Sequence, residues 1–112
     1  MAQMTVSEFV EGISAACRKS NIVANIKTEL HENIVAKIRV FLIKDCFADV
    51  FYNSDTDRID FALIRNSKRI YGADNLGGWH YHPFEDPEKH IACETMNFAD
   101  FLGKVREILQ KF

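Results

Sequence analysis

Apolar residues near the start of the chain fall at Val6, Phe9, Val10, Ile13, Ala16 and Cys17, a three-and-four spacing that predicts an amphipathic helix over residues 5 to 19. Thr5 followed three residues later by Glu8 reads as a capping box at its start. After Ser20-Asn21 the period drops to two. Ile22, Ala24, Ile26, Thr28 and Leu30 alternate with Val23, Asn25, Lys27 and Glu29, as in a strand with one wet face, and His31-Glu32-Asn33 forms a turn with His31 in solvent. Ile34, Ala36, Ile38, Val40 and Leu42 repeat the alternation against Val35, Lys37, Arg39 and Phe41 until Lys44-Asp45 breaks it. The next stretch, Phe47 to Tyr52, is apolar except for Asp49, which predicts a central strand with that carboxylate on the solvent side.

Ser54-Asp55-Thr56-Asp57 reads as a turn, Ile59, Phe61 and Leu63 resume the alternation, and Asn66-Ser67 offers a tight connection to Lys68-Arg69-Ile70-Tyr71. No helical stretch separates these strands, so parallel crossovers are excluded and the sheet is antiparallel. The last apolar series, Phe98, Phe101, Leu102, Val105, Ile108, Leu109 and Phe112, is helical again, with Asn97 placed as its N-cap. The expected fold is therefore α+β: an antiparallel β-meander of about five or six strands flanked by an N-terminal helix and a C-terminal helix packed on one face.

With 112 residues, 47% of them hydrophobic, the chain is expected to form a single domain over residues 1–112. A formal net charge of -2 and a pI near 6.1 argue against indiscriminate binding to duplex nucleic acid, which needs an excess of cations. Basic residues do gather locally as Arg58, Arg65, Lys68 and Arg69, which reads most simply as cations guarding a strand edge. Cys17, Cys46 and Cys93 are widely spaced and lack a C-x-x-C pair, which favours a reducing, cytoplasmic setting over a disulfide scaffold. With neither a basic leader nor an apolar run of membrane length, no membrane association is expected.

The candidate chemistry lies in Trp79-His80-Tyr81-His82-Pro83-Phe84-Glu85-Asp86-Pro87-Glu88-Lys89-His90, behind Gly77-Gly78. Alternation sets His80 and His82 on one face and Trp79 and Tyr81 on the other, while the proline-containing acidic loop can return His90 to the pair. Imidazole titrates near neutrality, so such a cluster suits acid–base chemistry, metal ligation or phosphate contact. In the acid–base reading, which needs no cofactor, the histidines act on a phosphate held by Lys68 or Arg69, and Tyr71 or Trp79 stacks on a base, as in a metal-independent ribonuclease. Asp74 and Asn75 then orient the cluster. In the metal reading His80, His82 and His90 are ligands, with Cys93 as a fourth. The plainest alternative makes the histidines structural partners of backbone carbonyls, in a non-catalytic interaction module.

The run Lys68-Arg69-Ile70-Tyr71-Gly72-Ala73-Asp74-Asn75, followed by His80, His82, the acidic proline loop and His90, resembles the TumE-type toxins of bacterial and archaeal toxin–antitoxin pairs over about residues 47 to 91. Ala73 stands where that pattern often has an aromatic residue, and Leu76-Gly77-Gly78-Trp79 lengthens the approach to the histidines. The resemblance implies a small intracellular protein with a cognate antitoxin as partner, directed at RNA or translation; self-association is also open.

Overall fold

The computed structural model describes residues 4–112, which form a seven-stranded antiparallel sheet with a helix at each end of the chain. The elements run α1 (Val6–Arg18), β1 (Val23–His31), β2 (Val35–Leu42), β3 (Phe47–Asn53), β4 (Arg58–Arg65), β5 (Lys68–Asp74), β6 (His80–His82), β7 (Ile91–Ala92) and α2 (Phe98–Leu109). Each strand pairs with the next in sequence, so the sheet is the expected meander. It has more strands than the alternation alone suggests because β6 and β7 are only three and two residues long, too short to show a period.

Local chemistry sets the boundaries. Thr5 caps α1, its hydroxyl accepting from the Glu8 amide at 3.1 Å while the Glu8 carboxylate accepts from the Thr5 amide at 2.9 Å. Asn97 and Asp100 repeat that reciprocal box at the start of α2. Between β4 and β5 both Asn66 and Ser67 have positive φ, 52° and 63°, as a two-residue hairpin twisted with its strands requires.

One face of the sheet carries Ala36, Ile38, Val40, Ala48, Val50, Tyr52, Phe61, Leu63, Tyr71 and Ala73, all buried with the apolar stripes of both helices. Phe61 lies 5.3 Å, centroid to centroid, from both Phe98 and Phe101, and Phe101 stacks on Tyr71 at 5.2 Å. Each such ring contributes about 1.5–3 kcal/mol by leaving water, so α2 is held chiefly by this aromatic knot. The other face is wetter. Asp49 sits there half-exposed, as expected, and accepts two hydrogen bonds from the Arg39 guanidinium, at 2.8 and 3.1 Å. No helix among the described residues is long and apolar enough to cross a membrane.

Candidate metal centre

Register brings the histidines together. Gly72 pairs with His82 and Asp74 with His80 across β5–β6, while Tyr81 pairs with Ile91 and His80 with Ala92 across β6–β7. Trp79 and Tyr81 pack against the core, so His80 and His82 take the opposite side. His90 immediately precedes β7 and arrives beside His82, with ring centroids 4.5 Å apart; His80 lies 5.1 Å from His82 and 4.9 Å from His90. One ring nitrogen from each of the three lies within 4.8 Å of the other two.

The returning loop is tied down along its length. Asp86 donates from its amide to Pro83 O at 3.1 Å and Lys89 to Asp86 O at 3.0 Å, two successive turns that reverse the chain. Arg69 Nη2 donates to Pro87 O at 3.2 Å, and Phe84 packs 6.0 Å from Phe112. Beneath the loop His82 is 3% exposed, whereas His90 remains open to solvent.

Gly72 forms the floor. A Cβ at that position would lie 3.0 Å from Phe61 O and 3.2 Å from Arg69 Cδ, so glycine is what lets the β4 backbone and the Arg69 stem approach this closely, while the His82 ring, at 3.6 Å, would be in ordinary contact. Asp74 closes the side. Its Oδ1 accepts from the Leu76 amide at 3.0 Å, which leaves Oδ2 to face His82 Nε2 at 3.2 Å and His80 Nε2 at 3.3 Å. Across β4–β5, Asp60 pairs with Asp74; burial first, and then the Asp74 charge, push the Asp60 carboxyl above its usual range against the pull of Arg58.

The hydrogen bonds constrain where the protons sit. Gly78 O can only accept, so the 3.1 Å contact from His80 Nδ1 places a proton on that nitrogen. His80 Nε2 then faces the Asp74 carboxylate, a contact that is attractive only with a positive charge between them, either a proton or a metal ion. His82 has one nitrogen against Asp74 while its Nδ1 is buried with no partner, a deficiency that costs about 1–3 kcal/mol if left unmet. Thus His80 and His82 each have one nitrogen engaged by an outer oxygen, the arrangement that orients metal-ligating imidazoles.

Not every predicted residue joins the cluster. Asn75 points away: its Oδ1 accepts from the Ile59 amide at 2.9 Å and its Nδ2 donates to Asp57 O at 2.7 Å, bracing the end of β4 against β5. Tyr71 is buried against Phe101 and Trp79 sits on the core side 6.2 Å from Phe61, so the Tyr71 ring cannot stack on a base and Trp79 turns from the histidines. Burial also pushes the Tyr71 hydroxyl up to about 12. Lys68 is exposed at the opposite end of β5 from Asp74. Arg69 alone of the expected cations reaches the site.

Cys93 falls outside the group as well. It follows β7 directly, and alternation from Ile91 and Ala92 sets it on the side of Tyr81 and the core rather than that of His80. The side chains that converge are therefore three histidines without sulfur. Sequence reading passed over Gly72 and Asp60; a glycine inside a strand was the available signal for the first, whereas nothing in the local pattern marks the second. No protein-family model matches this chain, and no curated protein or solved structure proves similar to it.

Proposed function

We propose that His80, His82 and His90 hold one divalent transition-metal ion, with Asp74 orienting or joining the ligands, and that this centre is the reactive part of a toxin-like protein acting on RNA. The observation that carries the reading is the convergence of three imidazole nitrogens to within 4.8 Å beside a buried carboxylate. Three imidazoles that converge on one point, two of them backed by the same carboxylate, make a donor set of the kind that holds a zinc-like ion.

Nitrogen ligands suit zinc or its neighbours, and three protein ligands with one edge open leave a position for water. Held there, such an ion would lower the pKa of bound water towards neutrality and supply a hydroxide nucleophile for the phosphorus of a phosphodiester, the displaced oxygen taking up the proton that the water gives up. Arg69, whose guanidinium donates to Pro87 O in the returning loop, would receive the phosphate. The resemblance to TumE-type toxins supplies the substrate class, and a cognate antitoxin would cover the open side at His90.

The test begins with metal-stripped protein titrated with Zn2+ by calorimetry, where one ion per chain is expected in the parent and a large loss of affinity in His82→Ala and His90→Ala. Since His90 is exposed, its variant keeps the fold even if the buried one does not. Cleavage of labelled single-stranded RNA should stop with chelator and resume on adding the ion. Metal binding that survives both substitutions would overturn the centre, and a metal-loaded protein inert towards RNA and towards the growth of an expressing cell would overturn the RNA reading.

A further inference from the structure

The sheet ends at β1, which pairs with β2 on one side only. Nine residues long and mostly exposed, it offers a row of unpaired backbone donors and acceptors. Three of the five large apolar side chains exposed among the described residues, Leu30 at 51%, Ile43 at 43% and Phe41 at 36%, lie on β1 or on β2 and its end. An uncovered edge bearing apolar side chains of this size is the kind of surface that a further strand completes.

We propose that a second copy of this chain supplies that strand, through antiparallel pairing of β1 with β1 about a two-fold axis at Thr28. In that register Lys27 stands opposite Glu29 of the other copy, and Glu29 opposite its Lys27, on the wet face. Ile26 stands opposite Leu30 on the core face, where Ile26 already packs against the apolar cluster. Both the charges and the apolar side chains therefore match at once, as a two-fold contact demands.

Neighbouring registers fail. Shifting the axis by one residue to Lys27 sets like ammonium groups opposite each other, and shifting it to Glu29 does the same with carboxylates. A half-residue shift brings a core-face position against a wet-face one, so that Ile26 meets Glu29. Among the registers centred from Lys27 to Glu29, these residues favour the one about Thr28, and the product is one continuous sheet of fourteen strands built from the seven of each copy. The histidine cluster lies on β5 to β7 at the opposite edge, so neither the pairing nor its failure bears on the metal reading.

Analytical ultracentrifugation of the full chain at micromolar concentrations, under reducing conditions, tests this directly. The parent should sediment at roughly twice 12.9 kDa. Lys27→Glu alone and Glu29→Lys alone should each sediment as monomers, because every cross-strand pair then carries like charge. Mixing those two variants should restore the dimer, since each supplies the complement of the other, and the double exchange K27E/E29K should dimerise by itself. A monomeric parent overturns the proposal; so does a dimer that survives both single reversals.

Discussion

His82 Nε2 and Asp74 Oδ2 meet at 3.2 Å across the β5–β6 pair, both side chains buried and only eight residues apart in the chain. The Gly77-Gly78 turn makes this possible. Both glycines have positive φ, 69° and 110°, and the Gly78 carbonyl then fixes the His80 ring. The same turn that reverses the chain thus assembles the carboxylate, the two imidazoles and the outer oxygen.

Asp74→Asn should separate the carboxylate's charge from its shape. The amide oxygen can still accept from the Leu76 amide, so the turn persists, but the negative charge facing both Nε2 atoms is gone. Zinc affinity should fall about 10–100-fold, the usual loss when an orienting carboxylate is removed, with far-ultraviolet circular dichroism unchanged. Undiminished affinity measured by calorimetry would mean that Asp74 neither ligates nor orients.

Cys93→Ser distinguishes the all-histidine centre from the set expected to include sulfur. Cys93 is not among the side chains that converge on the cluster, so the substitution should leave zinc affinity within about threefold of the parent, a shift within ~0.7 kcal/mol. A Co2+-substituted sample should accordingly lack the intense near-ultraviolet charge-transfer band of a thiolate ligand. Observing that band in the parent and losing it in the variant would return Cys93 to the centre.

Most of the fold could be read from the period of the apolar residues, since β2 alternates strictly between buried and exposed and both helices carry a continuous stripe. The facing of His80 and His82 followed from the same rule. Tyr71 and Cys93 were expected at the cluster on their nearness in sequence, but Tyr71 shares the core face with Ala73 and Cys93 follows Ala92, the partner of His80, onto the other side; the register shift in β5, which leaves Ile70 unpaired between Tyr71 and Arg69, is an irregularity that no local signal announces. Asp60 entered the site through pairing with Asp74, a relationship between strands that a one-dimensional pattern does not contain.

Glu8 makes the stability of α1 depend on pH. Its bonds to the Thr5 amide and hydroxyl lower its carboxyl below the ordinary 4.5, so the folded state binds fewer protons than the unfolded one in that range. The contribution is therefore complete above pH 4.5 and is lost as pH falls through the lowered value. Glu8→Gln should melt below the parent at pH 7, and the two melting curves should converge under acid conditions. A gap that stays constant between pH 7 and pH 3 would show that the charge of Glu8 is not what the cap uses.

Gly72 and Gly12 should respond oppositely to the same added methyl. At Gly12, on the exposed side of α1, a Cβ meets nothing within 4 Å, and alanine should stabilise the protein by about 0.5–1 kcal/mol through helix propensity. At Gly72 the methyl meets the Phe61 carbonyl at 3.0 Å, a backbone atom held in β4, so the strand or the Arg69 stem must move. Gly72→Ala should cost about 1–3 kcal/mol in denaturant unfolding, whereas its third neighbour, the His82 ring at 3.6 Å, lies at ordinary contact distance. Adding Arg69→Ala removes one of the two tight contacts and should recover part of the stability. If Gly72→Ala instead unfolds at the parent's denaturant midpoint, the approach of β5 to the Phe61 carbonyl is not what requires the glycine.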